Sequence, residues 1–196
     1  VPSPYIWRDY LAYIEKKYKN EVVKVDFRDK SRIGWSGHIE SFIFNNGRKV
    51  ESRIYTDLFY QHIMLRPSCG NCHYTNFYRP SDLTIADYWG WENISTDFNI
   101  DNKGCSLLFI NTSQGYNIFS IISKSMNIIP TDKKLCLQPN LICPSKINPK
   151  KDHFISIYQS NGFKGIILRH KINIYITKLK DRIKTILDFQ RFDTTI

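Results

Sequence analysis

Near the start of the chain apolar residues recur every three or four positions, at Trp7, Tyr10, Leu11 and Ile14. That spacing lines one face of a helix, and Ser3 followed by Pro4 supplies a cap and a pre-set first turn. A helix is predicted over Pro4–Lys19. The pattern then changes to alternation, with Val23, Val25 and Phe27 marking Glu21–Phe27 as a strand. Arg28, Asp29 and Lys30 open a turn that ends near Gly34 and Trp35. His38–Phe44 and Arg48–Ile54 read as further strands, joined at Asn45, Asn46 and Gly47, which accept the positive φ of a hairpin turn. Asp57–Leu65 is apolar on one face and predicts a short helix. Arg66–Trp91, with Pro67, Gly70, Pro80 and Gly90, is a loop-rich centre. Ser106–Asn111 is a short apolar run consistent with a buried strand. Ser113, Gln114 and Gly115 predict a turn, and Tyr116–Ser125 a helix. Pro130–Pro149 predicts an extended connection. Lys150–Gln159 predicts a helix that Asn161 and Gly162 end. Ile172, Ile176, Leu179, Ile183 and Ile186 form a stripe at about 3.5-residue spacing, predicting an amphipathic helix over Lys171–Gln190. The alternation in Ile172–Thr177 fits a strand equally. The expected class is α+β: a mainly antiparallel or mixed sheet, flanking helices and a C-terminal amphipathic helix.

The 196 residues are 42% hydrophobic and 14% aromatic, which is globular composition with material for one core plus an appendage. No run approaches the roughly 18–20 apolar residues of a membrane span, and none is expected. VPSPYIWRDY has no basic start followed by an apolar stretch, so it does not read as a secretory signal. The chain starts at Val1 without an initiator Met, which gives the expectation of a cut or processed end and of a segment upstream. Five cysteines, an odd number, with no signal point to a reducing, cytoplasmic setting rather than a disulfide framework. The net charge of +10 favours anionic partners. Much of it lies in Lys164, Arg169, Lys171, Lys178, Lys180, Arg182, Lys184 and Arg191, opposed only by Asp181 and Asp188. The expected division is a domain over 1–163 and a basic amphipathic extension over 164–196. The tail has few aromatics to stack on bases beyond Tyr175 and Phe189, so no nucleic-acid partner is expected. Peripheral contact with an acidic membrane surface is compatible with it, as is a plain solvated helix face.

Arg66-Pro67-Ser68-Cys69-Gly70-Asn71-Cys72-His73 carries the sharpest local signal. Two thiols separated by two residues on a tight loop suit zinc, an iron–sulfur cluster or a redox disulfide. A thioredoxin-like motif would open a helix after a strand. Here Pro67 and Ser68 precede the pair and a polar, aromatic loop follows. A four-thiolate cluster needs two more cysteines. Cys105 heads an apolar run and reads as a small buried residue. Cys136 and Cys143 flank Pro139 and lack ligand-pair spacing. His73 or His62 would complete a zinc site only outside the spacing of known zinc modules. The chain is therefore expected to supply half a cluster. A second signal is Ser81–Gly90, where Leu83 and Ile85 alternate with Asp82 and Thr84 before Asp87, Trp89 and Gly90. An aromatic, a carboxylate and a glycine at a strand end suit a planar ring and its phosphate arm. A core Trp with a capping Asp is the plainer reading. No nucleophile–base pair, phosphate-binding P-loop or Rossmann glycine motif occurs.

The run RPSCGNCHYTNFYRPSDLTIADYWG resembles the central signature of the coenzyme F420 hydrogenase/dehydrogenase beta-subunit family, C-terminal domain. VPSPYIWRDYL, VDFRDKSRIGWSGH, GCSLLFINTSQG and QPNLICPSKINPKKDHF add to the resemblance, which covers roughly 1–163. It implies an electron-transferring oxidoreductase, a flavoprotein with FAD and a 4Fe-4S cluster, passing electrons between a partner and a deazaflavin, coenzyme F420, or a similar acceptor. Cys69 and Cys72 match metal-ligating cysteines, the other ligands coming from an upstream segment or a partner subunit. Asp82, Thr84, Asp87, Trp89 and Gly90 match the strand motif near the cofactor. Arg28, Lys30, Trp35 and Gly37 match a basic-aromatic turn that contacts phosphate or a flavin edge. Ala86 stands where the family has Gly, and Cys105 where Val or Thr is common. The alternative expectation is a non-catalytic binding module of the same fold, associated with polysaccharide biosynthesis.

Overall fold

The computed structural model describes residues 2–95 and 97–169. The expected helix over Lys171–Gln190, and with it most of the basic extension, lies outside the described residues. The fold is α+β, and the described strands lie in two antiparallel sheets rather than one.

The first helix, α1, spans Pro4–Tyr18, with the Ser3 hydroxyl accepting from the Tyr5 N–H and Lys19 closing it in the left-handed region. Ile6, Tyr10 and Ile14 are its buried stripe, with Trp7 and Leu11 partly buried beside it. Strands β1 (Val22–Asp26), β2 (Glu40–Phe44) and β3 (Lys49–Ser52) form an antiparallel sheet with β2 central. Gly47, at φ 78°, makes the β2–β3 turn. The register of β1 slips between Val22 and Lys24. That irregularity breaks simple alternation: Val22 and Val25 pack on the core, while Val23 is exposed. Phe42 and Phe44 sit at the centre of the core, Phe42 against Trp7 and Tyr10.

Helix α2 spans Ile54–Tyr60, earlier than the expected Asp57–Leu65. The Ser52 hydroxyl accepts the Ile54 N–H at 3.2 Å, so the chain turns into the helix as β3 ends. Positive φ at His62 follows the helix end, and Met64 and Leu65 reach the interior from non-helical backbone.

Strands β4 (Leu83–Asp87) and β5 (Ser106–Ile110) form the second sheet, followed by α3 (Ser113–Ile122). The expected turn at Ser113–Gly115 is the first turn of α3, because the Thr112 hydroxyl caps it by accepting the Gly115 N–H at 3.0 Å. A side chain at 115 would collide with the Asp82 carbonyl, so glycine here serves close packing rather than a turn. The connection over 130–149 departs from the expected extended form at a turn over 133–136, closed by the Leu135 and Cys136 N–H groups on the Asp132 carbonyl, and at the short helix α4 (Pro139–Ile142). The last described helix, α5, covers 151–169. Gly162 takes φ 60° but does not end it. Phe163, Ile166 and Ile167 lie beyond the glycine and join the main core, and their burial favours continuing the helix. Among the described residues no helix is long and apolar enough to cross a membrane.

Candidate functional site

The loop between β1 and β2 is pinned by a buried carboxylate. Asp29 accepts from the Ser31 N–H at 2.9 Å and the Ser41 hydroxyl at 2.5 Å, and pairs with Lys49 at 2.5 Å. The lysine contact and these hydrogen bonds hold its carboxyl far below the usual range. Fixing Asp29 fixes its neighbours Arg28 and Lys30 on either side.

Arg28 pairs with Asp87 at the end of β4 and donates to the Trp35 carbonyl at 3.2 Å. Its guanidinium lies 4.1 Å from the Trp35 ring centre and 5.1 Å from that of Trp89, a doubly flanked cation–π arrangement. The two indoles are 4.8 Å apart. Arg28 Nε is buried without a hydrogen-bond partner. Trp35 is buried, its backbone N–H donating to Asn102 Oδ1 at 3.1 Å. Gly104, at φ 92°, packs against the Trp35 ring so closely that any side chain there would overlap it. Lys30 lies 4.9 Å from the same ring and donates to the Lys103 carbonyl at 2.5 Å. Gln138 donates to the Asp87 carbonyl at 2.9 Å.

The outer part of the cluster is open. Trp89 keeps 43% of its surface exposed, and Tyr60 keeps 51%. The His38 ring lies nearly parallel to Trp89 at 5.9 Å, and its Nδ1 is 2.7 Å from the Tyr60 hydroxyl. Burial, followed by the Arg28 cation, lowers the His38 pKa, while Asp87 opposes them. Burial raises that of the Tyr60 phenol. Both are neutral side chains at pH 7.

The two sequence motifs therefore meet: Arg28, Lys30 and Trp35 lie with Asp87 and Trp89. Gly37 backs this loop against the Ile33 side chain, and Gly90 turns the chain after Trp89 at φ 92°. Asp82 and Thr84 stand at the other end of β4. Asp82 accepts from the Thr112 hydroxyl, and the Thr84 hydroxyl lies 3.0 Å from the Asn111 amide nitrogen. Both serve the β4–α3 junction. His38, Tyr60, Asn102, Gly104 and Gln138 were not singled out from the sequence. The usable signals were the aromatic-rich context of His38 and the Asn102-Lys103-Gly104 turn composition.

Cys69 lies within a 3₁₀ turn over Pro67–Asn71, and Cys72 follows it. Both thiols are half-buried and unbridged. Gly70 packs on Ile147, so the turn leans on the 145–147 segment. His62 is engaged by the Lys146 carbonyl at 2.9 Å. Cys105 and Cys136 belong to the small core beneath β5, and burial raises both thiol pKa values. Cys143 is exposed. Among the described residues no three metal-binding side chains gather at one point. The pair therefore fits at most half the donor set of a four-iron cluster. A separate, largely apolar groove of about 480 Å³ runs between α1, 63–67 and α5, lined by Tyr5, Ile6, Met64, Phe154 and Tyr158.

No curated protein and no solved structure matches the chain. The family model for the C terminus of the coenzyme F420 hydrogenase/dehydrogenase beta subunit matches residues 1–134, and the chain belongs to that family.

Proposed function

We propose that this chain is part of an oxidoreductase subunit and carries the surface on which a flavin or deazaflavin ring is held, with Cys69 and Cys72 as thiolate ligands of an iron–sulfur cluster completed from elsewhere. The family supports a redox role in a coenzyme F420 context and, as a subunit family, partner subunits. The observation that carries the ring-binding reading is the exposed Trp89 surface, braced from behind by Trp35 and by the Arg28–Asp87 pair. A planar ring gains most from a rigid aromatic wall with a few fixed polar groups, and this cluster has that make-up.

A bound flavin-type ring supplies the electron-accepting chemistry. The chain's residues would do the rest. Trp89 and Tyr60 flank the ring and exclude water, and Arg28 holds Trp35, Trp89 and Asp87 in one rigid unit. Asp87 offers a half-exposed carboxylate to a ring N–H. Arg28 and Lys30 are already engaged by Asp87, the Trp35 carbonyl and the Lys103 carbonyl, so their part is to shape the site.

The two-thiol site favours a second reading, a binding module of this fold that performs no electron transfer. One experiment separates the two. Protein purified without oxygen, together with its partner subunits, is assayed for iron, sulfide and bound flavin, beside a Cys69→Ser/Cys72→Ser variant. The redox reading expects iron and sulfide that the double variant loses, and a yellow chromophore released on denaturation. Colourless, iron-free protein that is unchanged by the double substitution would overturn it and leave the binding module.

A further inference from the structure

The Tyr60–His38 pair lies beside Trp89 at the open edge of the site. Tyr60 is half exposed, yet its hydroxyl is fixed 2.7 Å from His38 Nδ1, and the His38 ring is fixed in turn against Trp89. The Tyr60 ring meets Phe59 edge-on at 5.4 Å, and the hydrogen bond to His38 sets where its hydroxyl lies.

The pair can present either polarity. With Nδ1 unprotonated, Tyr60 donates to His38 and turns its oxygen lone pairs outward. With the proton on Nδ1, the closer nitrogen at 2.7 Å against 3.1 Å for Nε2, His38 donates and the Tyr60 O–H is released to point outward. A neutral imidazole exchanges these tautomers without a change in charge. The groups that bear on His38 come from three elements: Arg28 and Lys30 from the loop after β1, Arg53 from the start of α2, and Asp87 from the end of β4. The cation that bears on it most, Arg28, is already paired with Asp87.

We propose that Tyr60, positioned by His38, reads the polar edge of a planar ring packed on the exposed surface of Trp89, and that this edge is an imide. An imide alternates carbonyl oxygen and N–H: Asp87 accepts from the N–H, and the Tyr60 O–H, turned outward by His38, donates to a flanking carbonyl. Flavins and deazaflavins share that edge. A phosphate would need fixed outward donors, and the two cations nearest the ring wall are spent on internal partners. This inference rests on the reading of Trp89 as the ring-binding wall.

The test is quenching of tryptophan fluorescence by riboflavin, by 8-hydroxy-5-deazaflavin and by 3-methylriboflavin, whose imide N–H is blocked. The proteins are wild type, Tyr60→Phe, His38→Ala, His38→Asn and Trp89→Ala, each checked for unchanged far-ultraviolet circular dichroism. Tyr60→Phe should weaken the two rings with an intact imide roughly three- to tenfold, the loss of one hydrogen bond. His38→Ala should do the same and His38→Asn should recover most of it, which a packing role for the imidazole would not produce. Wild-type affinity should change with pH as His38 protonates below its ordinary range, and Tyr60→Phe should abolish that change. The methylated ring keeps its carbonyls but loses the N–H that Asp87 accepts, so it should bind more weakly and still respond to Tyr60→Phe. The tighter of the two imide rings identifies the source. If Trp89→Ala abolishes binding while Tyr60→Phe binds as wild type, the edge-reading role is wrong and the wall stands. If wild type binds no ring, or Trp89→Ala binds as wild type, the wall is wrong and the inference falls with it. Competition by inorganic phosphate would also overturn it.

Discussion

The larger and smaller halves of the molecule are held together by different means. Around α1, the three-stranded sheet, α2 and α5, eleven buried apolar residues among those described form one cluster, with aromatic pairs such as Trp7–Phe42 and Tyr10–Phe163 inside it. Around β4 and β5, among the described residues, only Tyr88, Cys105, Leu107 and Cys136 are buried together. A two-stranded sheet with so small a core is marginal alone. It leans on the larger half through Arg28–Asp87, Lys30 to the Lys103 carbonyl, and Asn102 to the Trp35 N–H. The candidate site lies on that seam. Its geometry is therefore a product of how the two halves meet, and each prediction below loads one side or the seam.

Phe42→Ala removes a side chain with no exposed surface from the centre of the larger core, and should cost about 3–5 kcal/mol in urea unfolding. Leu107→Ala, in the smaller core, should cost less, near 2 kcal/mol, and show first as lost amide protection in β4 and β5. An equal cost from both would erase the contrast between the halves.

Glu40 comes next. It is fully buried, accepts from the Thr56 N–H and hydroxyl with one oxygen, and leaves the other without a partner. Burial pushes its pKa up to about 7. Its acid form is the one the fold favours, so its contribution is complete below the ordinary carboxylate range and is lost as pH rises through about 7. The full loss is about 3 kcal/mol. Denaturation midpoints measured from pH 4 to 9 should fall across that window, and Glu40→Gln should flatten the curve.

On the seam itself, Gly104→Ala forces a side chain into the Trp35 ring at positive φ, and should cost about 2 kcal/mol. It should also move the tryptophan emission to longer wavelength as Trp35 is displaced. Asp87→Asn should have the smallest effect on stability, at most about 1 kcal/mol, because its side chain is half exposed and solvent screens the pair. Its effect should shrink further as salt is raised, and ring affinity should change more than stability.

The parts legible in the sequence were those where local chemistry and tertiary packing agree. Ser3 and Pro4 start α1, and Gly47 turns the hairpin, as their composition implies. Misjudged boundaries arose where a partner distant in sequence decides. Gly115 reads as a turn residue until Asp82 is seen pressed against it, and Gly162 reads as a stop until Ile166 and Ile167 are seen in the core. In the site, Arg28, Trp35, Asp87 and Trp89 could be picked out as two motifs, but nothing local says that they meet. Tyr60 was hidden because its partner, His38, lies across β2, β3 and most of α2, and a hydrogen bond over that separation leaves no periodic trace.

Hydrogen exchange of the protein with and without riboflavin or 8-hydroxy-5-deazaflavin locates the ring without any substitution. The account predicts new protection in peptides covering 28–38, 57–62 and 87–91, with the groove peptides 3–8 and 151–158 unchanged. Protection confined to that groove, or no protection anywhere at saturating ring, would contradict a ring-binding site on the seam.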